Sequence, residues 1–527
     1  MKIEDLVSGN YYVYTKYGIC QYVKPEIIKN YGVDKQFYTF YFKNKRQCFL
    51  VKDQIDKCIF FYADKDKKDV KLSNMDNNKS WKKRKQKTMA MVHEEVSQLT
   101  KLYAERKNIK GYALKKNTIA LSSFLKLYPY QLTDGQLQAL NEVNEDLESD
   151  NASSILLSGS VGCGKSTIMQ CITFKCINSD YQACILAPTE ILAKQHLSEF
   201  TEIFKSYKNV NIVFVSGSVS KKKKELIKEQ VESGTANIII GTSSILSQGY
   251  KFFNLGLVVT DEEQKFSTKQ KELLKTIDPK INQVLVTGTS IPRTTYMAKI
   301  GLLHKVSIDS VPKNKKEPEI ELYKHNDEKI VQFIKRELDR NGQVYYVLND
   351  TLGLYKVREH LLELNKKYNM KNDLRIGIVN GKLKKKESNQ IFDDFKQGKY
   401  DILIATTIIE IGLTCGNANS IVIQKCDRFG LSSLIQMDGR VGRSGVQPYV
   451  LLTYEGELNQ ISKKRINIIL KHTELNNATA ISEADEKLRG SGQLMTGSQH
   501  GHMVQIGMDM YNHLLEEEMN KQLKELA

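Results

Sequence analysis

The chain has 527 residues, 41% hydrophobic and 26% charged, with a formal net charge of +17. That length supports three or four domains with their own cores, while no run approaches the roughly 18 consecutive apolar residues of a membrane span and Met1-Lys2-Ile3-Glu4-Asp5 holds no apolar signal core. Nine cysteines without a C-x-x-C pair exclude a zinc ribbon and a disulfide frame and fit reduced thiols in a cytosol, and the basic excess favours nucleic acid over a merely lysine-rich surface.

Residues 1–75 alternate β-branched and aromatic residues with turn signals: strands at 11–14, 19–23, 37–42 and 48–51, with turns at 16–18 and 43–46. Short strands joined by tight turns predict a small β-barrel, which binds rather than catalyses. Residues 76–114 read as a basic amphipathic connecting helix, because Val92, Val96, Leu99 and Leu102 recur at three- and four-residue spacing before a stop at Gly111. Its opening run of Lys82, Lys83, Arg84, Lys85 and Lys87 is either a solvated face or a surface lying along phosphates.

Residues 115–315 alternate strand-like and helix-like segments, with strands at 155–157, 184–187, 212–215, 238–240, 257–260 and 284–287. The first strand feeds Gly159-Ser160-Val161-Gly162-Cys163-Gly164-Lys165-Ser166-Thr167, and a helical pattern follows. A triphosphate needs that order. Gly159, Gly162 and Gly164 let backbone N–H groups close around the β- and γ-phosphates, Lys165 neutralises them, the Ser166 hydroxyl holds Mg²⁺, and Thr167 completes the nucleotide-binding set. ATP and Mg²⁺ are therefore the expected cofactors. Cys163, inside the loop, is either a small residue filling space or a thiol activated by Lys165 and the helix N-terminus. Asp261-Glu262-Glu263-Gln264 follows the buried run 257–260, which assigns Asp261 to the metal and Glu262 to polarising the attacking water.

Residues 316–465 form a second alternating set, with strands at 344–348, 376–379, 402–405, 421–424 and 449–453 and no phosphate loop. Two consecutive α/β units with mostly parallel sheets follow, the nucleotide lying between them. Gln436-Met437-Asp438-Gly439-Arg440-Val441-Gly442-Arg443 supplies two arginines three apart. Arg440 and Arg443 suit arginine fingers reaching across a cleft, and Gln436 suits a reporter of the γ-phosphate. Residues 466–527 are helical, interrupted at Arg489-Gly490-Ser491-Gly492 and between Gly497 and Gly501.

Together these motifs resemble superfamily 2 DNA helicases and translocases of the RecG and Mfd (transcription-repair coupling factor) group. Leu186-Ala187-Pro188-Thr189-Glu190-Ile191-Leu192-Ala193-Lys194-Gln195-His196 is similar to the DNA-contacting motif Ia, which implies DNA contacts from Pro188, Thr189 and Gln195. Gly241-Thr242 and the stretch 287–294 resemble the next two motifs, and the stretch 406–412, with Thr406 and Thr407, resembles motif V. Tyr128-Pro129-Tyr130, Leu132-Thr133 and Gln136 resemble the adenine-reading segment, implying Gln136 on the base edge and Tyr128 stacked on its face. Arg489, with Gln499 downstream, is similar to the hairpin that couples ATP turnover to duplex movement. The implied fold is α/β: two tandem RecA-like P-loop lobes, an N-terminal small β-barrel and a C-terminal helical hairpin over 466–527.

Residues 1–75 resemble the CarD-like RNA polymerase-interacting domain of that family, through Gly9-Asn10-Tyr11-Tyr12-Val13-Tyr14 and Tyr17-Gly18-Ile19-Cys20-Gln21-Tyr22-Val23. The likeness continues through Trp81-Lys82-Lys83 and Asp427-Arg428-Phe429-Gly430-Leu431. It implies a monomeric, ATP-dependent translocase on double-stranded DNA in a bacterial-type cytosol or nucleoid, docking on RNA polymerase through residues 1–75 and pushing stalled complexes. Neither a UvrB-related module nor a C-terminal regulatory domain is expected, and so no recruitment of repair proteins. A RecG-like fork remodeller and a polymerase-binding adaptor with a degraded ATPase are the alternatives. The chain departs from the family pattern at Gln264, Gly288, Ser290, Thr414 and Asp438.

Overall fold

The computed structural model describes all residues except 1–2, 4–5, 31–32, 64, 66–69, 108, 117, 248, 267–269, 271–273, 275–276, 289–293, 295–296, 299–300, 311–315, 382, 384, 407–414, 443–444, 459, 471–505 and 527. Residues 1–105 and 486–527 form one compact unit and residues 106–485 another. No helix among the described residues is long and apolar enough to cross a membrane.

In the first unit, strands β1 (Tyr11–Tyr14), β2 (Gly18–Asn30), β3 (Val33–Tyr41), β4 (Gln47–Leu50) and β5 (Ile59–Ala63) form an antiparallel sheet in the order β4-β3-β2-β1-β5. Alternation puts Tyr12, Phe40 and Ile59 inside at 0% exposure, with the Tyr12 and Phe40 rings edge-to-face at 6.1 Å. Where a small barrel is expected, the strands form a five-stranded antiparallel sheet: among the described residues β4 and β5 are edges that do not pair with each other. The reason is the short helix Lys52–Cys58, which carries the chain away from β4 and delivers β5 to the far side of β1. The basic connecting segment is helical over Lys79–Lys107; Trp81, Val92 and Val96 are buried, and Lys82, Lys83 and Lys87 form a solvated face.

The helix Met508–Leu526 packs against β5 in this same unit. The His513 ring packs tilted against Phe60 with 4.8 Å between ring centres, and His93 Nδ1 lies 2.6 Å from Glu518 Oε1. Burial pushes the Asp509 carboxyl up to about 6, although its carboxylate accepts the Phe61 backbone N–H. A carboxyl whose folded value exceeds its unfolded value destabilises the fold above that value, and the penalty fades as pH falls toward the unfolded one. Asp509→Asn is therefore expected to stabilise this unit by on the order of 2 kcal/mol at pH 8 and by a few tenths at pH 4. Thermal unfolding at the two pH values checks it; an equal gain at both would contradict the assignment.

The second unit holds two parallel sheets. The first has seven strands: β6 (Ser154–Gly159), β7 (Gln182–Leu186), β8 (Ile212–Val215), β9 (Ile238–Gly241), β10 (Leu255–Asp261), β11 (Asn282–Thr287) and β12 (His304–Ile308). Their order is β12-β6-β11-β10-β7-β9-β8. The second has six: β13 (Glu319–Lys324), β14 (Gln343–Val347), β15 (Ile376–Val379), β16 (Ile402–Ala405), β17 (Ala418–Ile423) and β18 (Tyr449–Tyr454), ordered β13-β18-β17-β14-β16-β15. Central strands buried on both faces read as continuous apolar runs, which is why the expected strands recur here. The two that sequence patterning passes over, β12 and β13, are sheet edges with half-polar sequences. Because every neighbouring pair is parallel, the loops after β6, β7, β9, β10 and β11 gather at one edge of the first sheet.

Candidate active site

Strand β6 ends at Gly159, and the chain turns through residues 160–164 into the helix Lys165–Asn178. Gly164 caps that helix with φ +91°, a conformation that demands glycine, and a Cβ on it would displace the Gln136 amide. Gly162 also has positive φ, at +80°. Lys165 Nζ lies over the loop, donating to the carbonyls of Gly159 at 2.7 Å and Ser160 at 2.9 Å. Ser166 and Thr167, half-buried, occupy the first helical turn. Cys163 is 0% exposed within the lobe core, which decides for the space-filling reading.

The segment expected to read adenine braces this loop. Gln136 Nε2 donates to the Cys163 carbonyl at 2.8 Å, and its Oε1 accepts the Thr133 N–H at 2.9 Å. Those bonds engage both ends of the amide in a capping box at the start of the helix Asp134–Leu147. The Tyr128 hydroxyl donates to Gln170 Oε1 and its ring packs on the core, while Tyr130, 6.1 Å away, is 69% exposed.

Asp261 closes β10. Glu262 follows in the left-handed region, φ +50° and ψ +46°, a conformation that costs a non-glycine residue about 1 kcal/mol or more. Its backbone N–H donates to Asp261 Oδ1 at 2.9 Å. Its carboxylate accepts from Gln264 Nε2, and Gln264 Oε1 in turn accepts the Thr287 hydroxyl at 2.8 Å, tying the end of β10 to the end of β11. His196, 1% exposed on the helix Glu190–Phe204, sets Nε2 2.8 Å from Asp261 Oδ2.

These surroundings drive the two carboxyls apart. Burial works to raise Asp261, but the His196 hydrogen bond and charge, with Lys165 behind them, hold it below the usual carboxylate range. Burial and the Asp261 charge push Glu262 up, against the opposing pull of Arg440 and Lys165. The surroundings thus favour the charged form of Asp261 and the neutral form of Glu262. At Gly288 an added Cβ would sit 3.6 Å from Lys165 Nζ and 3.9 Å from Glu262 Oε1, ordinary contacts, so an alanine would fit there.

The second sheet's contribution arrives on the helix Leu431–Asp438, where Gln436 is 1% exposed, followed by Gly439 and by Arg440 at 4%. The Arg440 charge acts on Glu262, from a turn of the second lobe to the end of β10 in the first. Arg443, Thr407, Arg489 and Gln499 lie outside the described residues.

Two family models match this chain: a DEAD/DEAH box helicase over residues 133–298 and a helicase conserved C-terminal domain over residues 326–445. The first takes in the phosphate loop and Asp261-Glu262, the second Gln436 and Arg440. The chain belongs to the superfamily 2 helicases. The transcription-repair-coupling factor of Staphylococcus haemolyticus is 33% identical to it over 520 residues, 98% of this chain and 44% of that protein. That of Staphylococcus aureus strain MRSA252 is 32% identical over the same share. The chain thus spans under half the length of these curated relatives. A solved structure of RecG bound to a three-way DNA junction superposes with a TM-score of 0.67 over 100% of this chain and 79% of that one, at 22% identity, a likeness of fold.

In this helicase the motif residues expected to meet DNA follow the carboxyl ends of strands. Pro188 and Thr189 come after β7, where Thr189 Oγ1 accepts the Leu192 N–H at 3.4 Å and caps the next helix. Gln195, on that helix, donates to Glu199 Oε1 at 2.7 Å. Gly241 ends β9, and the Thr242 hydroxyl pairs with Ser244 Oγ at 2.9 Å. Thr406 follows β16. Sequence reasoning missed His196 as a partner of Asp261 and Thr287 as a partner of Gln264. The first left a signal: Leu192, Ala193, His196 and Phe200 share a buried helical stripe, so the histidine is a polar residue on an apolar face.

Proposed function

We propose that this helicase is an ATP-driven translocase on double-stranded DNA that engages RNA polymerase through its N-terminal sheet and displaces stalled transcription complexes. One observation carries the reading: likeness to transcription-repair-coupling factor extends over 98% of the chain and so takes in the sheet unit as well as the motor. Ser166 in the first turn of the helix after the phosphate loop and Asp261 at the end of β10 offer hard oxygen donors and would hold Mg²⁺, which would supply charge neutralisation on the β- and γ-phosphates. Lys165 binds those phosphates, Glu262 orients the attacking water and takes its proton, and Arg440 with Arg443 brings positive charge to the γ-phosphate that Gln436 senses. Gln136 and the Tyr128–Tyr130 segment hold the adenine. Pro188, Thr189, Gln195, Gly241, Thr242, Thr406 and Thr407 track the duplex, and Arg489 and Gln499 couple turnover to its movement. Lys221, Lys222 and Lys223, exposed just beyond β8, add charge along the same sheet edge.

The polymerase-facing surface in this reading is the edge of β4 that pairs with no other strand among the described residues, an edge that suits strand addition and carries Phe49 at 40% exposure. Phe49→Asp is expected to cut ATP-dependent release of a stalled elongation complex by about tenfold or more while duplex-stimulated ATPase stays at the wild-type rate. Equal release by both proteins would refute docking through this edge. A wild-type protein that regresses forks and releases no polymerase would move the assignment to the fork remodeller.

A further inference from the structure

Gly439 raises a question that its backbone does not answer. Its φ of −66° and ψ of 1° suit any residue, so conformation does not require glycine there. Space does. A Cβ on Gly439 would fall 2.4 Å from Val161 Cγ1 and 2.5 Å from Val161 Cβ. Val161 belongs to the phosphate loop of the first lobe, Gly439 to the second, and the next residue is Arg440. On its other flank, Val161 Cγ2 lies 3.6 Å from where a Cβ on Gly288 would stand, and that same position is 3.6 Å from Lys165 Nζ. Val161 is 9% exposed. One apolar side chain therefore fills the junction of the phosphate loop, the end of β11 and the arginine-bearing turn.

We propose that Val161 is a positioning residue, the stop on which bare Gly439 seats so that Arg440 enters the hydrolytic centre. The inference rests on the ATP-hydrolysing reading of this cleft and is independent of the polymerase partner. Consecutive Cα atoms are about 3.8 Å apart, so Arg440 cannot keep its place if Gly439 is pushed away. Lys165 and the backbone N–H groups of the loop, which bind the phosphates, are all retained when Gly439 is changed. The signature is thus a loss of turnover without a loss of nucleotide affinity.

The test is a double-mutant cycle on the full chain, with steady-state ATPase on linear duplex and equilibrium binding of a fluorescent ATP analogue as readouts. Gly439→Ala is expected to lower kcat by about 10²-fold, the effect of misplacing a catalytic group by about 1 Å, with analogue affinity unchanged. Val161→Gly in that background restores most of the loss. Val161→Ala does not, because its Cβ remains in the way. A size series at position 439 (Ala, Ser, Val) gives a second measurement, kcat falling with each added atom. Unaltered kcat in Gly439→Ala, equal rescue by Val161→Gly and Val161→Ala, or no trend in the series would overturn the proposal. A wild-type protein without ATPase would overturn the reading beneath it as well.

Discussion

Arg440→Ala is expected to lower duplex-stimulated ATP turnover by about 10³- to 10⁵-fold, the range by which an arginine finger accelerates phosphoryl transfer. The argument starts from burial. At 4% exposure the guanidinium is removed from water on the far side of the cleft, where its charge acts on Glu262. A positive charge held in a site of low dielectric stabilises negative charge gathering on the transferring phosphoryl oxygens far more than one in solvent. Nucleotide affinity should change little, since Lys165 and the glycine loop belong to the other lobe. Arg440→Lys should recover little, because an ammonium lacks the planar fork. Steady-state ATPase alongside nucleotide binding checks both statements; turnover within tenfold of wild type would remove Arg440 from the chemistry.

Glu262→Gln is the second large effect, with turnover expected to fall by about 10²- to 10⁴-fold, the usual contribution of a positioned general base. The substituted amide keeps an oxygen for Gln264 Nε2 to donate to, so the link through Gln264 to Thr287 survives and the loss is one of proton transfer. The sign of the accompanying stability change separates this account from simple damage. Burial and the neighbouring Asp261 charge hold the Glu262 carboxyl above its ordinary value, which means the folded protein disfavours the charged form. A neutral glutamine should therefore raise the thermal midpoint at neutral pH while turnover collapses, the exchange expected where a functional site is kept at the expense of stability. A variant that is both inactive and less stable would contradict it.

Much of the motor is legible in the sequence alone. The glycine loop, Asp261-Glu262 and the arginine turn announce themselves because phosphate chemistry needs fixed residue types at fixed short spacings, and local order carries them. The buried central strands were equally plain: β9 and β16 fall on the segments 238–240 and 402–405 that patterning marks, since a strand covered on both faces must be apolar throughout. Of the edge strands of the two parallel sheets, β8 and β15 are apolar enough to be marked, whereas β12 and β13 are not, because their sequences are half polar. The helix Met508–Leu526 was legible as a helix, yet nothing local says that it packs on β5, more than four hundred residues earlier in the chain.

What the sequence determined by itself, then, is the inventory: a phosphate-binding loop, a pair of acids, an arginine turn, two parallel α/β sheets and a strand-rich beginning. Those depend on backbone conformation and charge within a few residues, which side-chain chemistry dictates directly. Only the tertiary structure decided the partnerships. Gln136 on the Cys163 carbonyl, His196 on Asp261, Gln264 between Glu262 and Thr287, and Gly439 against Val161 each join groups from separate segments. Such contacts are set by how close two packed elements come, to within an ångström, and that distance is a property of the whole packed unit with no counterpart in local spacing.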